Sequence, residues 1–395
     1  MKRRNFLKRS AYVTAGTLLV PEFIKAAQAL NASYEGRRLV IIQFSGGNDG
    51  LNTVIPYHND VYYQVRPQIA IGADKVLKLN DEMGLHPALK SLQKLYDQGD
   101  LSIVNSVGYP NPDRSHFRSM DIWHTASGAN EYLTNGWLGR YLDSQGNNEK
   151  LWQAVEVDES LSLAMKGAER KALTVSDPGK LYRTTRGLFA EQYEAQAHQH
   201  EHENLGYLYK TMAETVNSAA YIYEKSKVYQ TKVSYPNNAF GRDLKQIAQM
   251  INSGIETEVY YVSLNGFDTH AGQLGRQAGL LKQYAEGVEA FVKDLRVKGN
   301  WDNTLVMTFS EFGRRVAQNA SRGTDHGTAN NVMLMGGKLK KAGIYNAAPN
   351  LTTLDKGDLI YQVDFRQIYS TILQNWLEAD PSKVLSESFE SLKIV

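Results

Sequence analysis

No cysteine occurs among the 395 residues, which excludes disulfide staples, thiolate metal sites and cysteine nucleophiles together. Internal repeats, low-complexity tracts and Pro/Ser-rich linkers are also missing, so nothing in the composition divides the chain into separate units. Apolar runs are short, and none is long enough to span a bilayer. An excess of positive charge is confined to the N-terminus. The formal net charge is +2, but residues 1–29 carry six basic side chains against the single acid Glu22, which leaves −3 on the remainder. A slightly acidic body offers no electrostatic case for nucleic acid. Four signatures are absent as well: the GxSxG elbow, the GxxxxGK[ST] loop, the GxGxxG fingerprint and HExxH.

Residues 1–29, "MKRRNFLKRSAYVTAGTLLVPEFIKAAQA", have a basic start, a short apolar stretch and a small-x-small end at Ala27-Gln28-Ala29. That pattern reads as an export signal. Within it, "RRNFLK" resembles the twin-arginine consensus, which implies the twin-arginine export machinery as a partner and the periplasm as destination.

With 42% hydrophobic and 22% charged residues, the rest has the composition of a globular body rather than a disordered one. Short β-branched or apolar runs at 37–44, 101–107, 152–158, 258–265, 303–310 and 331–337 read as strands. Between them, 202–231, 239–253 and 272–298 carry helical periodicity. Alternating strands and amphipathic helices predict a single α/β domain over 30–395: a largely parallel central sheet with helices on both faces and a helical insertion at about 190–255. The His-rich stretch "HQHEHEN" (198–204) reads as a solvated helix, because only His198 and His202 share a face.

In an open α/β sheet, ligands bind beyond the carboxyl ends of the strands. There the sequence offers Asp49 after the first run, and Ser115, His116 and Asp121 after the second. Asp268 and His270 follow 258–265, Glu311 and Arg314 follow 303–310, and Asp325 and His326 precede 331–337. Carboxylates and imidazoles without thiols form the ligand mix of a hydrolytic metal centre. Zn²⁺ or Mn²⁺ accepts both donor types, whereas Mg²⁺ or Ca²⁺ prefers oxygen. Each residue also has a plain structural role open to it: Asp49 in a Gly-rich turn, Asp268 or Ser115 as a helix cap.

The segments "LVIIQFSGGNDGLNT", "RSHFRSMDIWHTA", "FDTHAGQ", "TFSEFGRR" and "GTDHGTANNVMLMGG" resemble, in this order, the signature segments of the exported domain of unknown function 1501 family. That family in turn resembles the alkaline phosphatase and sulfatase superfamily. The resemblance implies an alkaline-phosphatase-like fold and a metal-dependent hydrolase of phosphate or sulfate esters, small or polymeric. Asp49, Asp268, His270, Glu311 and His326 would then be metal ligands and Ser115 the nucleophile. Arg114, Arg118 and Arg314, with Arg315 beside them, are candidates for holding the anion, and His116, Asp121 and Asp325 for supporting the ligands. Gly266 and Phe312 stand where the superfamily has an aspartate and a histidine, which leaves the expected count at one or two divalent ions. The same two departures motivate an alternative: an exported binding or assembly protein that keeps the fold without the chemistry.

Overall fold

Arg38–Ser45 is an eight-residue run whose first seven side chains are all buried. A strand with no polar face must be covered on both sides, and alternation along it decides what covers each face. Leu39 and Ile41 join an apolar layer with Trp123, Trp137 and Tyr369. Val40, Ile42 and Phe44 join the opposite layer with Leu244, Ile247, Leu281 and Tyr284. The computed structural model describes residues 36–146, 150–170, 172–188, 192–193 and 203–395. The expected export signal (1–29), the first part of the expected insertion and most of the His-rich stretch lie outside the described residues.

The main sheet comprises β1 (Arg38–Ser45), β2 (Leu101–Gly108), β3 (Ala154–Glu156), β4 (Leu173–Thr174), β5 (Val259–Asn265), β6 (Thr304–Ser310), β7 (Asn330–Met335), β8 (Gly343–Ile344) and β9 (Val363–Asp364). Its order is β8-β2-β7-β6-β1-β5-β3-β4, with β9 also paired to β2. β1 lies between β5 and β6 and is parallel to both. The layers are formed by α1 (Gly50–Thr53), α2 (His116–Thr125), α3 (Trp137–Ser144), α4 (Glu203–Ser226), α5 (Ala239–Asn252), α6 (Gln273–Val297) and α7 (Phe365–Thr371). Among the described residues, no helix is long and apolar enough to cross a membrane.

The single reversal matters for the site. β7 runs antiparallel to both β6 and β2, because residues 311–329 form a helix-free loop instead of a crossover. The amino end of β7 therefore meets the carboxyl ends of β1, β2, β5 and β6. Residues just before β7 reach the same edge as residues just after the others.

At the end of β3, Glu156 is 2% exposed, and its Oε2 accepts from the Ser162 amide at 2.7 Å. Burial pushes its carboxyl up to about 7 from an ordinary 4.5. The folded state then holds a proton that the unfolded state has released, so stability falls as pH rises from about 4.5 to about 7. Glu156→Gln should remove this slope, worth at most about 3 kcal/mol. Urea midpoints at pH 5 and pH 7.5 check it; an unchanged slope in the variant would exclude Glu156 as the source.

Candidate metal centre

Two glycines let the loop after β1 fold onto its neighbours. A Cβ on Gly46 (φ +118°) would lie 2.4 Å from the Asp268 amide nitrogen, and one on Gly47 (φ +71°) would lie 2.1 Å from Phe312 Cε2. Only a residue without a side chain fits either place. The β1 and β5 loops are then joined by the Gly266 and Phe267 amides, which both donate to the Ser45 carbonyl.

On this platform three imidazoles and one carboxylate converge. His116 opens α2, Asp268 and His270 follow β5, and His326 precedes β7. His270 Nε2 lies 2.9 Å from His326 Nε2 and 3.1 Å from Asp268 Oδ1. Asp268 Oδ1 is 3.4 Å from His326 Nε2 and 3.7 Å from His116 Nε2. Four donors around one tetrahedral ion, with bonds of about 2.0–2.1 Å, stand about 3.3 Å from each other. These four separations bracket that value, and donor atoms of His116, Asp268 and His326 all lie within 4.8 Å of one another.

The far side of each ring fixes which nitrogen faces inward. His326 Nδ1–H donates to the Arg114 carbonyl at 2.8 Å. His270 Nδ1 pairs with Asp325 Oδ1 at 3.1 Å, and His116 Nδ1 with Glu311 Oε1 at 2.9 Å. With the proton held at Nδ1, each Nε2 presents a lone pair to the centre, the arrangement by which outer partners orient metal-binding imidazoles. The Nε2 atoms of His270 and His326, 2.9 Å apart, are held together either by a proton shared between them or by a bound cation. His116 Nε2 is buried and has no hydrogen-bond partner within the protein.

Charge agrees with geometry. Asp268, Glu311 and Asp325 supply three negative charges and the buried Arg314 one positive, leaving −2 around the donors, the complement of a divalent ion. Burial alone would raise the Asp268 carboxyl, but the Arg314 hydrogen bond and charge, with His270 and His326, hold it below the usual range. Hydrogen bonds from Asn319 and His270 lower Asp325 in the same way. The Glu311 hydrogen bond raises His116, whereas burial lowers His326.

Several sequence expectations change place. Glu311, expected as a ligand, is 1% exposed; its Oε1 also accepts from the Gly46 amide at 2.8 Å, so it stands behind His116 rather than in the centre. His116, expected behind the site, faces into it. Asp49 is turned away: its Oδ1 caps the Leu51 amide at 3.1 Å, and its Oδ2 pairs with Arg66 at 2.7 Å and accepts from Gln273. Both oxygens are therefore engaged away from the cluster.

The arginines are corrected likewise. Arg314 donates to the carbonyls of Gly46, Gly47, Phe267 and Thr324 and to Asp268, which ties the loops together and leaves no fork for a ligand. Arg118 donates to the carbonyls of Gly128, Ala129 and Glu131. Arg114 pairs with Asp358. Arg315 reaches the Lys356 carbonyl at 3.3 Å. Asp121 serves through its carbonyl, which accepts from Thr125 at 2.6 Å.

Ser115 is the N-cap residue of α2, but its side chain makes no capping hydrogen bond and is exposed. Its hydroxyl is thus available one residue from His116. Phe312 packs tilted against the rings of both His116 and His326, centroids 4.8 Å apart in each case. It forms the apolar wall of the cluster.

Solved structures with a related layout include the phosphonate monoester hydrolase SpPMH from Silicibacter pomeroyi, 9% identical, TM-score 0.44, covering 91% of this chain and 76% of that one. The PsFucS1 sulfatase from Pseudoalteromonas sp. is 11% identical with a TM-score of 0.38, over 95% and 74%. The C-terminal periplasmic domain of EcEptC from Escherichia coli, in complex with Zn, is 9% identical with a TM-score of 0.36, over 77% and 74%. No curated protein gives a significant match. Residues 36–386 match the family described as "Protein of unknown function (DUF1501)", and the chain belongs to that family.

Proposed function

We propose that this protein is a metal-dependent hydrolase of phosphate or sulfate esters that works in the periplasm. One observation carries the reading: three imidazoles, each anchored at Nδ1 by an acceptor, bring their Nε2 atoms within 3.7 Å of Asp268 Oδ1. The donor set suits Zn²⁺ or Mn²⁺ better than an all-oxygen ion. Bound by His116, Asp268, His270 and His326, such an ion supplies Lewis acidity toward an ester oxygen and lowers the pKa of a nearby hydroxyl.

The chain's own groups have separable tasks. Glu311 and Asp325 keep the imidazole protons on the outer nitrogens. Arg314 keeps Asp268 ionised and in place. Ser115, with an uncommitted hydroxyl at the start of α2, is the group placed to attack, and the α2 amino terminus favours negative charge developing there.

Metal analysis of the exported protein, with assays on aryl phosphates and sulfates, tests the proposal. About one equivalent of zinc or manganese and turnover abolished in Ser115→Ala are expected. Metal bound without any turnover would instead support an exported binding protein that retains the fold. That second reading draws on one observation: Arg114, Arg118 and Arg314 are all engaged within the protein.

The periplasmic part of the proposal rests on "RRNFLK". Replacing Arg3 and Arg4 together by lysine should leave the protein in the cytoplasm, as seen by fractionation. Unchanged export would remove the twin-arginine assignment.

A further inference from the structure

Phe312 has two neighbourhoods. One is the ring pair His116 and His326. The other is a cavity of about 120 Å³ that Phe312 lines together with Tyr109, Trp123, Ala329, Leu359 and Ile360. The cavity therefore begins one aromatic ring away from the metal donors. We propose that it is the specificity pocket of the centre, and that it receives a ring-sized, uncharged group of the substrate, so that the ester cleaved is that of a phenol or a cyclic alcohol. This deepens the hydrolase reading and rests on it.

Size supports the assignment. A cavity of about 150 Å³ lined by apolar side chains admits benzene, and this one is of similar capacity. The chemistry of the wall narrows the guest. No lysine or arginine lines the cavity, while Asp113 and Asp355 do, so a second anionic group would be repelled. Tyr109, Trp123, Phe312 and Ala329 are each at most 3% exposed, whereas Ile360 is 47% exposed and offers an apolar side chain to solvent. Such rings and aliphatic groups contribute affinity by apolar burial and stacking, without fixing a charge.

Trp123 lines the cavity with its ring stacked on Phe309 and Phe365, centroids 4.9 and 4.4 Å away, so it gives the guest a fixed aromatic wall.

The test uses the full exported chain and phenol itself, followed by saturation-transfer NMR and calorimetry, so that it does not depend on turnover. Phenol should bind saturably to the wild type. Ala329→Leu, which fills the cavity, and Ile360→Asp, which sets a carboxylate beside it, should each weaken that binding at least tenfold with metal content unchanged. Ile360 is half exposed and tolerates replacement, so this variant decides the matter should Ala329→Leu fail to fold. No phenol binding by the wild type, or equal binding by Ile360→Asp, would overturn the pocket assignment. Where turnover is present, the kcat/KM ratio of phenyl phosphate to methyl phosphate should fall about tenfold in Ile360→Asp. Phenol binding with no turnover of either ester would remove the hydrolase reading and leave the pocket as a ring-binding site.

Discussion

His270→Ala and His326→Ala should each abolish stoichiometric metal binding while leaving the fold intact. Both side chains are partly exposed, at 45% and 23%, so neither truncation opens a core. What each removes is an Nε2 donor of the cluster, 2.9 Å from the other. Loss of an outer partner typically costs 10–100-fold in metal affinity; loss of a ligand should cost more than about 100-fold. Glu311→Gln supplies the comparison. It keeps a carbonyl oxygen near His116 Nδ1 but removes the charge, and should fall within the 10–100-fold range. Metal retention after dialysis against a graded chelator separates the three variants. Wild-type retention in both histidine variants would place any bound ion elsewhere.

Asp49→Ala should have the opposite profile, with a large loss of stability and no loss of metal. Asp49 and Arg66 are 1% and 0% exposed, and their ion pair spans 2.7 Å. Arg66 also donates to the Val316 and Arg315 carbonyls and to Asn52, so it stays buried when its counter-charge is removed. Stripping one partner from a buried pair costs about 3–5 kcal/mol, and the lost cap on α1 adds about 1 kcal/mol. The urea midpoint of the metal-loaded protein should drop accordingly, while the folded fraction still binds one equivalent. A stable Asp49→Ala protein that has lost its metal would restore Asp49 as a ligand.

Why the layers were readable in the sequence is visible in β1, β5 and β6. Each is a short run of apolar residues bounded by polar turns, and burial on both faces leaves little else for such a run to be. The direction of β7 was less accessible. Asn330–Met335 reads the same in either direction, and only the helix-free loop 311–329 permits the antiparallel course. Asp268 and His270 reach the sheet edge simply by following a strand, whereas His326 reaches it only because β7 is reversed. Their roles do not follow from strand ends.

Glu311 and His116 show the reason. A glutamate after one strand and a histidine at one helix start are both plausible ligands by spacing. Which one faces inward depends on the Gly46 amide, which draws Glu311 Oε1 toward the sheet, a contact 265 residues away in sequence. Arg314 is similar: four carbonyls from three loops meet its guanidinium, and no local pattern announces them. Phe312 is the most instructive position. As a residue it reads only as a missing donor. In space it is the partition between the imidazoles and an apolar cavity, and the reason Gly47 must lack a side chain.

Anomalous diffraction from crystals of the zinc-loaded protein bears most directly on whether these donors grip an ion. A single peak is expected among His116 Nε2, His270 Nε2, His326 Nε2 and Asp268 Oδ1, at about 2.0–2.2 Å from each, with Glu311 and Asp325 still behind the rings. Crystals that show no anomalous density between these side chains, or show it only elsewhere on the molecule, would contradict the assignment of the cluster as a metal centre.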